Sequence, residues 1–133
     1  MSDHIAWKGL NRMPQFVIQE HWARTHHFDL RLEKEGVLKS WALPKGMPVD
    51  DEKRLAIQVE DHDLDYGQFE GEIPPGEYGA GKVAIWDKGR YDPVEWTGDK
   101  ILFVLHGERL KGRYVLIRLK RSAPDHWLIR KID

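Results

Sequence analysis

The sequence predicts a mainly β protein, a small antiparallel β-barrel of about eight strands with few short helical turns. From residue 16 onward, apolar and polar side chains alternate with a period of two, in short runs that glycine, proline and aspartate separate. No segment carries the apolar spacing of a long amphipathic helix. Many short strands joined by close turns are typical of barrels and sandwiches.

The predicted strands follow one another closely along the chain. Glu35-Gly36 is typical of a tight hairpin turn, and Pro44-Lys45-Gly46 is expected to end a strand. Gly89, Pro93 and Gly98 are expected to interrupt the stretch after Trp86. A helical turn is expected within 48–54 or 63–70. The predicted strands are 16–19, 27–33, 37–42, 55–60, 82–86, 101–106, 112–119 and 127–131.

The bulk properties limit the class of protein. A chain of 133 residues fits one domain, with residues 1–13 as an N-terminal tail and 14–133 as a single domain. The formal net charge of -1 argues against a broad basic surface for nucleic acid, so any such contact should be local. The absence of cysteine excludes disulfides, thiolate metal sites and a cysteine nucleophile. Without an apolar leader or spanning segment, we expect a cytoplasmic protein.

The strand at 27–33 carries the most specific chemistry. Since side chains alternate faces, His27, Asp29 and Arg31 share a polar face, with Glu33, opposite the apolar face of Phe28, Leu30 and Leu32. A histidine and an aspartate two residues apart can bind one metal ion, and His21 is the expected third ligand. His26 competes for the metal, but its parity places it on the core face. The alternative without a metal is that these are surface histidines on the polar face of a strand.

Cations near this face favour an anionic substrate. Arg31 is in phase with His27 and Asp29, and a cation beside a metal suits an anion. In the strand at 55–60, Leu55, Ile57 and Val59 are expected to face the core, opposite Arg54, Gln58, Glu60 and His62. Lys45 follows an earlier strand, so Arg31, Lys45 and Arg54 are predicted to clamp a phosphate. Isolated lysines and arginines are more often solvated surface groups.

Several motifs in this order resemble the 3′-phosphoesterase module of bacterial ATP-dependent DNA ligase D. The resemblance runs from about Phe16 to Lys131, nearly the whole chain. Its motifs are QEH at 19–21, HFDLRLE at 27–33, LKSWALPKG at 38–46, VEDH at 59–62, Tyr66, FEGEIPPGEYGAG at 69–81 and WLI at 127–129.

The resemblance implies a small β-barrel with a manganese ion in a surface groove. It implies His21, His27 and Asp29 as metal ligands. The residues implied around the phosphate are Arg31, Lys45, Arg54, His62 and Tyr66. The implied substrate is a DNA primer-template 3′ end that carries a terminal ribonucleotide or phosphate. The implied reactions remove the ribonucleoside and then the phosphate, leaving a 3′-hydroxyl for a DNA ligase or polymerase of an end-joining pathway.

Two other functions fit parts of the sequence. A barrel oxygenase with two histidines and one carboxylate could use His27 and Asp29 with His106 or His126, although Arg31, Arg54 and Lys45 suit phosphate better. A non-catalytic DNA-end binding module would keep the fold without hydrolysis. The balanced charge argues against a pure binder, and the combined His, Asp and Arg residues favour catalysis.

Overall fold

The computed structural model describes residues 13–121 and 123–132. Within them the chain forms nine strands and one 3-10 helix, η1. The predicted tail at 1–13 lies outside the described residues except for Met13, so the division into tail and domain stays a prediction. The elements are β1 Gln15–Trp22, β2 His26–Lys34, β3 Val37–Leu43, β4 Lys53–His62, η1 Leu64–Gln68, β5 Gly71–Ile73, β6 Gly81–Trp96, β7 Lys100–Gly107, β8 Lys111–Arg118 and β9 His126–Lys131.

The strands close into an antiparallel barrel. They are hydrogen-bonded in the order β1-β2-β3-β4-β9-β8-β7-β6-β5, and a further pairing of β1 with β6 closes eight of them into a ring. The three residues of β5 extend the sheet along the start of β6. The predicted barrel of about eight strands is confirmed, and η1 falls within the predicted window at 63–70. No helix in the described ranges has the length and apolar character needed to cross a membrane.

The predicted interruption after Trp86 is wrong, because β6 runs on through Gly89 and Pro93. Gly89 pairs with β1 and β7 at once, and a Cβ atom there would overlap the carbonyl oxygen of His106. Glycine at this position therefore permits a close approach of strands. Pro93 lies at a β-bulge, where a ladder hydrogen bond is not needed. Gly98 does lie in the turn that follows β6.

The core fills the inside of the barrel. Trp41 of β3 and Trp127 of β9 are almost fully buried and meet edge to face at 5.9 Å between ring centroids. Leu30 and Leu32 of β2 are fully buried, as their alternation predicted. The remaining buried core residues are Phe16, Ile18, Leu43, Met47, Ala56, Tyr91, Ile101, Phe103, Leu105, Tyr114, Leu116 and Ile129.

The predicted phase of β4 is wrong. Ala56, rather than Leu55 or Ile57, belongs to the core, and Leu55 is 37% exposed. The interior beside β4 is occupied by Trp41 and Trp127, so the inward position opposite Trp127 has room for alanine. Because Val59 pairs with Ser40, which neighbours Arg31, Val59 lies on the outer face of the barrel.

Candidate metal centre

Three metal-ligating side chains meet on the outer face of β1 and β2. His21 pairs with His27 across the two strands, and Asp29 follows two residues along β2. The Oδ2 atom of Asp29 lies 3.6 Å from Nδ1 of His21 and 3.3 Å from Nε2 of His27. One potential ligand atom from each residue lies within 4.8 Å of the others. The predicted trio is therefore close enough to share one metal ion.

Backbone carbonyls orient both imidazole rings. The Nε2 atom of His21 lies 2.7 Å from the Gly79 carbonyl oxygen, and Nδ1 of His27 lies 2.9 Å from that of Thr25. Because a carbonyl oxygen only accepts, each of these nitrogens donates, which leaves the other nitrogen of each ring directed at Asp29. Metal-ligating histidines are held in this way, and two imidazoles with one carboxylate suit a divalent transition metal.

The pKa directions of His27 and Asp29 favour an ion pair between a protonated imidazole and an ionised carboxylate. The hydrogen bond to Asp29 raises the pKa of His27, against the effect of burial. Burial alone would raise the pKa of Asp29, but the hydrogen bond from His27 and the charge of Arg31 outweigh it and lower that pKa. A cation bound to this pair would displace the proton, since imidazole binds a metal in its neutral form.

Arg31 is fixed directly beside the trio. Its side chain is almost fully buried, and burial lowers the pKa of the guanidinium. The Nε atom donates to Oε1 of Gln19 at 2.6 Å, and Nη1 donates to Oγ of Ser40 at 2.8 Å. The Nη2 atom lies 3.5 Å from Oδ2 of Asp29. The guanidinium is thus held on two sides with its remaining edge beside the metal ligands.

A β-bulge brings His62 to the same face. Ser40 of β3 pairs with Val59, whereas Leu38, two residues away, pairs with His62, three residues on. The extra residue in β4 returns His62 to the outer face on which Val59 lies. Without the bulge, His62 would follow the parity of Arg54 and Gln58.

His62 then stacks on η1. Its ring lies 4.4 Å from that of Tyr66, and the Arg31 guanidinium carbon lies 4.8 Å from the centre of the Tyr66 ring. Burial, with the Arg31 charge second, lowers the pKa of His62, whereas burial raises the pKa of Tyr66. Both groups are therefore uncharged near neutral pH, beside a charged arginine.

These side chains line one cavity of about 380 Å³ on the outside of the barrel. The metal trio, Arg31 and the paired rings of His62 and Tyr66 make its polar wall. The other lining residues are Ala23, Ala42, Val59, Glu60, Ile73, Tyr78 and Gly79. Two imidazoles and a carboxylate beside a fixed guanidinium can bind a cation and an anion together.

Comparison with known proteins identifies the family. The model of the DNA Ligase D 3'-phosphoesterase domain matches residues 19–118. This chain belongs to the DNA ligase D 3′-phosphoesterase domain family. A Mycobacterium bovis protein named "Multifunctional non-homologous end joining protein LigD" is 52% identical over 122 residues, 88% of this chain and 16% of that protein. Proteins of the same name from Pseudomonas aeruginosa and Mycolicibacterium smegmatis are 47% and 45% identical over 88% and 89% of this chain.

The phosphoesterase domain thus spans about one-sixth of the length of these relatives, at 15–17%. The matched family model covers β1 from Gln19 through β8 to Arg118, and therefore the metal trio, Arg31, His62 and Tyr66. The family match favours a phosphoesterase over the oxygenase alternative.

Two predicted phosphate residues of the phosphoesterase domain lie outside the cavity. Lys45 and Arg54 line a separate depression together with Pro44, Glu52, Lys53 and Leu55. Arg54 donates a hydrogen bond to the Lys45 carbonyl oxygen and lies 2.7 Å from the Glu52 carboxylate. Because Arg54 has the parity of Ala56, it lies on the opposite face of β4 from Val59. Their predicted contact with the phosphate stays a prediction.

The competing histidines also lie apart from the trio. His26 pairs with the Glu20 carboxylate at 2.8 Å and stacks on Trp22, on the other face of β2 from His27. His106 lines a different cavity, and neither it nor His126 belongs to the His21, His27 and Asp29 group.

The sequence interpretation missed two supporting residues of the phosphoesterase domain. Gln19 and Ser40 are fully buried and hold Arg31. The sequence does indicate which face they lie on. Gln19 is in phase with His21 along β1, and Ser40 alternates with the core residue Trp41. A buried polar side chain in phase with a predicted ligand is a signal for a residue that supports the site.

Proposed function

We propose that this domain is a Mn²⁺-dependent phosphoesterase that heals DNA 3′ ends in repair. It acts as a 3′-ribonucleoside phosphodiesterase and a 3′-phosphomonoesterase. The observation that carries the proposal is the trio of His21, His27 and Asp29, whose ligand atoms lie within 4.8 Å, beside the buried guanidinium of Arg31. A metal-binding site beside a fixed guanidinium suits a phosphate ester, because both positive charges attract the phosphate oxygens.

The three ligands would hold Mn²⁺ and leave positions for water and a phosphate oxygen. When bound, this ion supplies Lewis-acid activation of the phosphorus centre and orientation of the substrate. The Gly79 and Thr25 carbonyl oxygens each accept from one ring nitrogen, which directs the other nitrogen of His21 and of His27 toward the site, where a metal ion would bind in place of a proton. Asp29 contributes a carboxylate that stays ionised, since the charge of Arg31 helps to lower its pKa.

Arg31 offsets the charge on the phosphate oxygens. Gln19 and Ser40 hold its Nε and Nη1 atoms in advance, so little reorganisation is needed when phosphate binds. His62 is neutral near pH 7 because burial and Arg31 lower its pKa, which favours a hydrogen bond to a phosphate oxygen. Transfer of a proton to the leaving oxygen is its other available role, once bound phosphate favours the charged ring.

Each reaction breaks one bond to phosphorus, with water as the nucleophile. In the diesterase step the bond from phosphorus to O5′ of the terminal ribonucleoside breaks, which leaves a 3′-phosphate. In the monoesterase step the bond to the DNA O3′ breaks, which leaves a 3′-hydroxyl for a DNA ligase or polymerase of an end-joining pathway. We place Lys45 and Arg54, which line the separate depression, in contact with the DNA away from the reacting 3′ end.

The test is a 5′-labelled primer-template that ends in one 3′ ribonucleotide, incubated with and without Mn²⁺. We expect conversion first to a 3′-phosphate and then to a 3′-hydroxyl, with neither product after chelation. A full-deoxy primer with a 3′-hydroxyl is the control and should remain unchanged. Absence of both products at every Mn²⁺ concentration would reject the proposal. Tight end binding without hydrolysis would indicate the non-catalytic module instead.

A further inference from the structure

Tyr78 presents an aromatic ring to solvent at the edge of the metal-centre cavity. Tyr78 is 87% exposed, the highest value among the exposed large hydrophobic residues that the structure describes. It lies between β5 and β6 and contributes to the lining of the cavity that contains the metal trio. A large exposed aromatic ring beside a reactive centre suggests a contact with substrate.

The segment that carries Tyr78 is fixed to a metal ligand. The Gly79 carbonyl oxygen accepts the 2.7 Å hydrogen bond from Nε2 of His21. Two turns shape the segment, with Glu77 N donating to Pro74 O at 3.2 Å and Ala80 N to Glu77 O at 3.1 Å. The ring is thus exposed while the backbone beside it touches the metal centre.

The cavity has a polar wall and an apolar wall. The metal trio and Arg31 form the polar wall, where the proposed function places the phosphate. Ala23, Ile73 and Tyr78 contribute apolar surface. A nucleoside attached to the reacting phosphate needs an apolar surface for its base, because every base presents a π-face that stacks on aromatic rings.

We propose that Tyr78 stacks on the base of the 3′-terminal nucleoside, the leaving group of the diesterase step; this inference rests on the proposed function. The 3′-phosphomonoester carries no nucleoside beyond the phosphate, so Tyr78 serves the first reaction and not the second. Stacking is tolerant of base identity, which fits an activity on ends of any sequence.

The experiment compares Tyr78→Ala and Tyr78→Phe with the parent on three ends of one primer-template. The ends are a 3′-terminal ribonucleoside, a 3′-terminal abasic ribose and a 3′-phosphate. With Tyr78→Ala we expect KM for the ribonucleoside end to rise about tenfold, within the range of base–aromatic stacking. KM for the abasic and phosphate ends should stay within about twofold, and Tyr78→Phe should resemble the parent. Ile117→Ala, another exposed apolar residue at 46%, on β8, is the matched control and should leave all three unchanged.

Binding of the same ends without Mn²⁺, followed by fluorescence anisotropy, gives a second measurement. The parent should prefer the ribonucleoside end to the abasic end, and Tyr78→Ala should lose this preference. Equal affinity of the parent for both ends overturns the inference, and so does a Tyr78→Ala variant that weakens the phosphate reaction equally. A parent that shows the base preference but hydrolyses neither end would instead refute the proposed function.

Discussion

The Oε1 atom of Gln19 accepts a hydrogen bond from Nε of Arg31 at 2.6 Å, with both side chains buried inside the wall of the site. The Nε2 atom of the same amide donates to the carbonyl oxygens of Tyr66 and Phe69 at 2.8 and 3.2 Å. One glutamine therefore joins the guanidinium to the helix that carries Tyr66. The position of Arg31 and the position of η1 depend on each other through this side chain.

We expect Gln19→Ala to lower both stability and activity. The substitution leaves a buried guanidinium nitrogen without an acceptor, which costs about 1–3 kcal/mol in the free energy of unfolding and more where the group is charged. Urea unfolding measures the stability, and the rate at saturating substrate measures the activity of the folded fraction. Gln68→Ala, an exposed glutamine of η1, is the matched control and should change neither. A Gln19→Ala protein with parental stability would contradict the role of this hydrogen bond.

Adjacent histidines give a direct test of the metal trio. His27→Ala removes one of three ligands, so we expect metal affinity to fall by at least about tenfold, with activity lost in parallel. His26→Ala removes a ring that pairs with Glu20 on the other face of the strand and should retain the metal. Titration of metal-free protein with Mn²⁺ by calorimetry reports both. Equal losses in the two variants would show that the trio is assigned incorrectly.

His62 should make the metal-free protein less stable in acid. Its pKa is lowered in the folded state by burial and by Arg31, although Asp29, Glu60 and Asp63 act in the other direction. As pH falls through about 6.5, the unfolded chain takes up the proton first, so stability is complete above this pH and declines below it. His62→Phe, which keeps a ring beside Tyr66, should show a smaller decline in unfolding free energy between about pH 7.5 and 5. Parallel curves for parent and variant would contradict this sign.

Arg54 tests whether the depression that it lines together with Lys45 contacts DNA. Arg54→Lys keeps the charge but replaces a planar guanidinium that bonds the Lys45 carbonyl and Glu52. Since partly exposed ion pairs contribute about 0–1 kcal/mol, we expect near-parental melting and a KM for DNA ends that is raised several-fold. Arg118→Lys on β8 is the control, because it also replaces a guanidinium beside a carbonyl oxygen and a carboxylate but lies outside this depression. An unchanged KM would remove Arg54 from the proposed contact with DNA.

The parity of β2 was predictable because a single rule decides it. Leu30 and Leu32 alternate with Asp29 and Arg31 on a strand without a bulge, so the apolar side chains fill the barrel and the polar ones line a cavity. The metal ligands lie on β1 and β2, two adjacent strands that a short connection at 23–25 joins. Local sequence was therefore sufficient to predict that His21, His27 and Asp29 lie together.

The facing of β4 and the positions of Arg54, His62 and Gly89 depend on the volume available in the core and on strand register. Local alternation of apolar and polar residues does not reveal either. Trp41 and Trp127 leave room in the core only for a side chain as small as that of Ala56. The side chains of β4 therefore face the opposite way from the prediction, and Arg54 lies away from the cavity. The bulge before His62 then turns the side chain of His62 back to the outer face, on which the cavity lies. Local sequence predicts an interruption at Gly89 because the His106 carbonyl oxygen, which a Cβ atom there would overlap, lies on another strand, β7.

Gly107 is a position where such a distant partner determines the residue. The buried carboxylate of Asp87 accepts hydrogen bonds from the backbone nitrogens of Lys88, Glu108, Arg109 and Leu110, at 2.9–3.1 Å. A Cβ atom at Gly107 would overlap this carboxylate and lie 2.7 Å from the Phe16 ring. Either the carboxylate or the ring must move, and each movement breaks contacts that order the turn between β7 and β8.

We therefore expect Gly107→Ala to lower the free energy of unfolding by about 1–3 kcal/mol, the usual cost of overpacking a filled site. Gly98→Ala is the matched control, because a Cβ there meets no atom within 4 Å, and it should stay within about 0.5 kcal/mol of the parent. Chemical unfolding of the two variants gives the comparison. Mn²⁺ affinity of folded Gly107→Ala should remain parental, since the turn contributes no residue to the metal-centre cavity. Equal stability of the two variants would mean that Asp87 and Phe16 adjust freely, and that the carboxylate does not order this turn.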